Sequence, residues 1–179
     1  MRIKLPGLWM RGWREDNMVH IRQAKDSDLD YIVSFVKKLS TFNRKNHSIT
    51  SKYDDHEPVL RAIAERTQTA FRNRDESSLF LIAEDNQSPI GYVFAKIYEE
   101  TQVADNGTGK MGLLADLFVD EAARGIGLGQ TLIDKTMEWF RSKGIRRVKL
   151  HAYSWNKAAL KVYEKNGFAE YAVSYEKFI

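Results

Sequence analysis

Residues Met111 to Phe140 read MGLLADLFVDEAARGIGLGQTLIDKTMEWF, and the order of chemistry in that stretch decides the fold. Met111 to Val119 is a mostly apolar run of strand type, bounded by Lys110 and Asp120. Ala123 and Arg124 lead into three alternate glycines, Gly125, Gly127 and Gly129. Leu132, Ile133, Met137 and Phe140 then share one face of a helix. A strand, a glycine turn and an amphipathic helix in this order can cradle a phosphate. The helix start leaves unpaired N–H groups and partial positive charge, and glycines remove the β-carbons that would hold an anion away. Arg124 adds a cation.

Working outward, Val19 to Arg22 is extended, and Ser27-x-x-Asp30 resembles a capping box opening a helix with Leu29, Ile32, Val33, Val36 and Leu39. A polar stretch from Ser40 to Asp55 separates it from a second helix, with Pro58 in the first turn and Leu60, Ile63, Ala64, Thr67 and Phe71 behind it. Leu79 to Ala83 reads as a buried strand, Asp85 to Pro89 as a turn, and Ile90 to Tyr98 as the returning strand. Glu99 to Lys110 is a loop. Beyond the glycine segment, Lys143-Gly144 ends the helix and Arg147 to Ala152 is a strand. Asn156 to Lys165 is a last helix, stopped by Asn166-Gly167, and Phe168 to Phe178 supplies one or two terminal strands. This order predicts an α/β fold with a mixed sheet.

The chain has 179 residues, a one-domain length, with 43% hydrophobic and 29% charged residues, which excludes disorder as its main state. No apolar run approaches the ~18 residues of a membrane span. The absence of cysteine removes disulfides and thiolate sites and fits a reducing, cytoplasmic setting. Four scattered histidines give no metal-ligand spacing, so no metal is expected. A net charge of +4, without an aromatic-basic platform or helix-turn-helix pattern, does not point to nucleic acid. Residues 1–17 read as an N-terminal extension, non-native or disordered, because Met18 opens the first strand; residues 18–179 read as one domain.

The glycine segment is not a dinucleotide loop: counting from Gly125, the sixth position is Gln130, and the next strand ends on Leu150 and His151 without an acid. No Walker pattern is present. Arg124-Gly-Ile-Gly-Leu-Gly129 resembles instead the R-G-x-G-x-G/A loop of the GNAT superfamily of acyl-CoA-dependent N-acyltransferases. Asp116 to Val119 is similar to that family's preceding strand, and Asn156 to Phe168 to its N-x-x-A-x-x-x-Y-x-x-x-G-F signature. Ile21-Arg22-x-Ala24-x-x-x-Asp28 and Ile90-Gly91 resemble its opening and its second hairpin strand, so the likeness runs from Val19 to Ile179. It implies a three-layer α/β fold, a central mixed and mostly antiparallel sheet flanked by about four helices.

It also implies direct transfer of acetyl from acetyl-CoA to an amine through a tetrahedral intermediate. Leu117, Phe118 and Val119 would then run beside the pantetheine arm. Arg124, Gly125, Ile126, Gly127, Leu128, Gly129 and Gln130 would hold the pyrophosphate, and Asn156 would bond the cofactor arm. By itself Asn156 fits a helix N-cap equally. Tyr163 would protonate the leaving thiolate; its spacing with Ala159 and Leu160 also fits a core aromatic. Asp116 is the candidate base, with a loop hydrogen-bond partner as the other reading. Polyamine-acetylating relatives carry Glu-Asp here, whereas this chain has Ala115-Asp116.

The acceptor groove falls to Asn43–Glu57 and Glu99–Asn106, where Tyr53, Asp54, Asp55, His56, Glu57, Glu99 and Glu100 would suit a cationic amine. The favoured acceptor is a small-molecule amine, an amino-acid derivative or a drug. A protein N-terminus or lysine is the alternative, and a non-catalytic acyl-CoA-binding regulatory module is the alternative of another class. Many members of the family are dimers, so the likeness admits a homodimer.

Overall fold

The strand Ser78–Asp85 is apolar at consecutive positions, and its two faces fill two separate cores. Leu79, Leu81 and Ala83 point to one, Phe80 and Ile82 to the other. A strand covered on both faces belongs at the centre of a layered α/β sheet.

The computed structural model describes residues 2–3, 19–47, 55–100 and 109–177. Its strands are β1 (Arg2–Ile3), β2 (Val19–Gln23), β3 (Ser78–Asp85), β4 (Ser88–Glu100), β5 (Gly109–Val119) and β6 (Val148–Leu150). Its helices are α1 (Leu29–Asn46), α2 (His56–Arg72), α3 (Leu128–Ser142) and α4 (Lys157–Lys165). The strands stand side by side in chain order, antiparallel except for the parallel pair β5 and β6. Leu128, Leu132, Ile133 and Phe140 of α3 fill the core on one face, with Val162 and Tyr163 of α4 packed against it. Ile32, Phe35 and Val36 of α1 and Phe71 of α2 fill the core on the other. The result is the expected three-layer fold with a mixed sheet and four helices.

Local chemistry explains the elements. Asn86 and Gln87 take φ of 47° and 67°, making the two-residue turn whose twist suits the β3–β4 hairpin. Gly144 at φ 72° closes α3, and the Ile145 N–H reaches back to the Phe140 carbonyl at 2.9 Å. At the start of α1 the capping differs from expectation. Asp28, not Ser27, organises the entry: its carboxylate accepts the Lys25 N–H at 2.7 Å and pairs with Arg22 at 2.6 and 2.9 Å. Those bonds, the Arg22 pair first, hold the buried Asp28 carboxyl below its ordinary range.

Two further expectations are corrected. The polar stretch begun at Ser40 does not end the helix, because α1 continues to Asn46. Phe42, 5.7 Å from the Trp155 ring, gives that extra length an apolar anchor. The terminal strands expected over Phe168–Phe178 do not form among the described residues: 168–177 make no ladder. Tyr171, Val173 and Tyr175 are all exposed, so no buried face fixes a register there. In the N-terminal extension, Arg2 and Ile3 pair with His20 and Val19; Trp9 and Trp13 lie outside the described residues.

Phe140, fully buried, sits against β5 at Gly112, where an added β-carbon would lie 2.5 Å from a ring carbon. Gly112→Ala is expected to destabilise by about 1–3 kcal/mol through overpacking. Urea unfolding measures it, and a variant as stable as the parent contradicts this account of the glycine.

Candidate active site

The Gly125–Gly129 segment alternates by function. Ile126 and Leu128 turn inward onto the core shared with α3, Leu128 almost completely buried. Gly125, Gly127 and Gly129 face outward, and a β-carbon on any of them would meet nothing within 4 Å. Gly125 and Gly127 also have φ of 81° and 85°, which glycine adopts freely. Gly129 is different: it lies inside α3 with an ordinary backbone and open space beside it. A helical glycine costs about 1 kcal/mol relative to alanine. Neither packing nor backbone conformation requires it here. Among the described residues nothing covers this rim. The first turn of α3 has no acidic residue and no side-chain cap, so its N–H groups face that bare rim without a side-chain acceptor.

Arg124 does not extend freely over this rim. Its Nε donates to the Val119 carbonyl at 3.1 Å, and its guanidinium lies 5.3 Å from the Phe42 ring centre. It therefore ties the loop to the end of β5 and to α1. Gln130 is likewise engaged. It accepts from Asn166 Nδ2 at 2.8 Å, donates back to the Asn166 amide oxygen, and donates to Asp134 at 2.9 Å. Asn166 also donates to the Val162 carbonyl at 2.7 Å. This amide pair fastens the end of α4 to the start of α3. On α4, Asn156 Oδ1 accepts the Ala159 N–H at 3.2 Å as an N-cap. Tyr163 is half-buried edge-on to Phe168, and burial raises its hydroxyl pKa above the ordinary value near 10.

β5 changes character at Ala115. Its pairing with β6 ends at Leu114 opposite Leu150, and its register with β4 shifts there, since Ala95 faces Leu114 while Phe94 faces Asp116. Ala115 is the extra residue of a β-bulge, and a bulge reverses the alternation of faces beyond it. Leu114 points to the α3 core; past the bulge Leu117 and Val119 do so, whereas Phe118 points toward α1 and α2. Asp116 follows Phe118. Beyond Leu114 the outer edge of β5 has no strand partner among the described residues.

Asp116 sits between two clefts that share it and Arg66 of α2. One, about 270 Å³, lies between α1 and α2 and adds Ser40, Asn43, Arg44, His47, His56 and Tyr153. The other, about 420 Å³, lies between α2 and the sheet and adds Asn73, Lys96 and His151. Burial raises the Asp116 carboxyl pKa, against the opposing pull of Arg66 and then Tyr92. The Tyr92 hydroxyl, fully buried beside this carboxylate, makes no hydrogen bond of good geometry. Neither cleft is lined by Tyr163, Asn156 or the glycine rim. The site thus has two parts, the α3–α4 rim and the Asp116 clefts, joined by the outer half of β5.

The described members of the acidic group expected around the acceptor do not line these clefts. Tyr53 and Asp54 lie outside the described residues. Asp55 caps α2 by accepting the Glu57 N–H at 3.1 Å, Glu57 lies 3.8 Å from Arg61, and Glu100 lies 3.5 Å from Lys149. Of the expected residues that are described, only His56 lines a cleft. Arg44, Arg66 and Lys96 were not singled out by sequence, because they sit on polar flanks that carry no motif. The position of Arg66, three residues after the inward-facing Ile63, is the signal that could have found it. Between the two parts, the Tyr153 ring stacks on Trp155 at 5.5 Å, and Trp155 meets Phe42. Trp155 Nε1 is buried without a partner among the described residues. No group of acids and histidines placed to hold a metal is found among the described residues, nor a helix long and apolar enough to cross a membrane.

Comparison with known proteins follows this geometry. Over 158 residues the chain is 31% identical to "Putative phosphinothricin acetyltransferase YwnH" of Bacillus subtilis (strain 168), an alignment covering 86% of this chain and 85% of that protein. In fold it is similar to a "predicted acetyltransferase with acetyl-CoA from Clostridium acetobutylicum" (TM-score 0.67, 19% identity, 90% of this chain and 96% of that one). It is also similar to aminoglycoside N-acetyltransferase AAC(6')-Iy in complex with CoA (TM-score 0.67, 20% identity, 90% and 95%). The model of the acetyltransferase (GNAT) family matches residues 42–168, from the end of α1 through the glycine rim and α4. The chain belongs to the GNAT acetyltransferase family and is an acyltransferase.

Proposed function

We propose that this protein transfers acetyl from acetyl-CoA directly to a primary amine of a small molecule, both substrates being bound together. The observation that carries the reading is the bare rim of Gly125, Gly127 and Gly129 over the uncapped start of α3. The residues present fit the cofactor. N–H groups from Gly125 to Gln130 bind the pyrophosphate, aided by the helix dipole. The unpaired edge of β5 at Leu117, Phe118 and Val119 takes the pantetheine arm as an added strand takes a neighbour. Asn156, at the start of α4, bonds that arm while still capping its helix. Acetyl-CoA is also the ligand named with the similar Clostridium structure.

Acetyl-CoA supplies an activated acyl group on a thiol leaving group. Asp116 takes a proton from the acceptor ammonium, directly or through water, so that the nitrogen lone pair can form the new C–N bond. Its raised pKa makes it a better base than an ordinary aspartate. Tyr163 donates its phenolic proton to the sulfur as the C–S bond breaks, and the second proton that the nitrogen sheds on becoming an amide passes through solvent to restore the phenol. Its raised pKa keeps that proton in place until a thiolate of similar basicity appears. The lack of cysteine supports a cytoplasmic setting for this chemistry.

Three experiments test the assignment. Gly129→Glu places a carboxylate on the rim without backbone strain, and calorimetric titration should show acetyl-CoA affinity reduced at least about tenfold with the melting temperature no lower than the parent's; unaltered affinity removes the rim from the cofactor site. Tyr163→Phe should lower kcat by about 10²-fold while the acetyl-CoA Kd stays close to that of the parent; parental turnover removes Tyr163 as the acid. The kcat–pH profile should fall on the acid side as Asp116 becomes protonated, with an inflection above the ordinary aspartate value of about 3.9. Asp116→Asn should lower kcat and lose that inflection, and an unchanged profile assigns the base elsewhere.

A further inference from the structure

We infer that the acceptor is an amine that also carries an acid group, its ammonium directed to Asp116 and its oxyanion to Arg66. The inference rests on the acetyl transfer proposed above and concerns only what the Asp116 clefts accept. Among the described residues Asp116 is the one acid lining either cleft, whereas Arg66 lines both and Lys96 the second. Imidazoles of His47 and His56 stand in the first and of His151 in the second. Among the described residues neither Arg66 nor Lys96 lies within 4.0 Å of a carboxylate. Arg66 is near enough to act on the charge of Asp116 without forming an ion pair with it.

The described lining, with Arg66 and Lys96 around a single carboxylate, has a definite preference. A polyamine or aminoglycoside would bring two or more positive charges against Arg66 and Lys96 with, among the described residues, only Asp116 to receive them, and like charges across an interface are costly. An amine bearing a carboxylate or phosphonate meets opposite charge at both ends. Guanidinium suits that oxyanion because its N–H groups can engage two oxygens at once. Arg66 and Asp116 border both clefts, so a small molecule with its amine and acid a few bonds apart reaches both from either side.

The test follows CoA release by the full chain with acetyl-CoA and three sets of acceptors: amino acids and aminoalkylphosphonates, the methyl esters of the same amino acids, and spermidine with an aminoglycoside. An acid-bearing amine should exceed its ester in kcat/KM by about tenfold or more, the worth of a charge-assisted hydrogen bond. Arg66→Gln should collapse that ratio through KM, and Arg66→Lys should restore part of it. A mere disturbance of Asp116 would slow acid and ester equally and leave the ratio intact. Lys96→Gln is the second variant should Arg66→Gln fold poorly. Preference for spermidine, the aminoglycoside or a peptide N-terminus overturns the inference, as does a ratio that neither variant moves. Failure of every acceptor while acetyl-CoA still binds by calorimetry also overturns it. Absence of acetyl-CoA binding instead defeats the transferase assignment itself.

Discussion

The bulge at Ala115 is the constraint on which the arrangement of this protein turns. A strand alternates its side chains between two faces, so a regular β5 would send Asp116 the same way as Leu114, into the apolar core under α3. The extra residue reverses the alternation, and Asp116 emerges instead on the side of α1 and α2. Burying a lone carboxylate among Leu132, Ile133 and Phe140 would be heavily unfavourable. At the same point β6 parts from β5. One local irregularity thus places an ionisable group on the open layer and strips the neighbouring strand edge of its partner.

What lies beyond that point is held by polar contacts at element ends. The reciprocal amide pair of Gln130 and Asn166 fastens α4 to α3. Arg124 joins the glycine loop to β5 through the Val119 carbonyl. Ile126 and Leu128 anchor the same loop from below. The outward glycines can therefore stay bare without the loop losing its shape, since the fixing is done by their neighbours. A preorganised donor rim loses little freedom when an anion arrives.

Much of this was legible in the sequence where causes are local. The alternation of glycine with Ile126 and Leu128, the Asp85–Pro89 turn and the Gly144 stop each reflect backbone chemistry within a few residues. The family resemblance added the order of the layers and the placing of Asn156 and Tyr163. Features made by distant partners were not legible. The continuation of α1 to Asn46 depends on Phe42 meeting Trp155, more than a hundred residues later. Tyr171, Val173 and Tyr175 have a strand's composition, yet composition cannot show that no buried face awaits them. The cations of the Asp116 clefts were not legible either, because Arg66 and Lys96 arrive from two different elements, and Asp55, Glu57 and Glu100 are engaged in a cap and in ion pairs.

The contact of Phe42 with Trp155 also bears on how such a chain can diverge. Phe42 touches Arg124 of the glycine loop and, through Trp155 and Tyr153, borders the cleft between α1 and α2. Deleting one residue from α1 before Phe42 would rotate the ring by about 100° and withdraw it by about 1.5 Å, disturbing the glycine loop and the cleft together. Length changes in that helix are therefore closed to gradual evolution. Substitutions at Asn43, His47 and His56, which line the cleft without holding the glycine loop, are open to it. New acceptor preferences in descendants of this chain should be written at those positions first, with Phe42 and Trp155 kept as the fixed frame between two independently tuned halves.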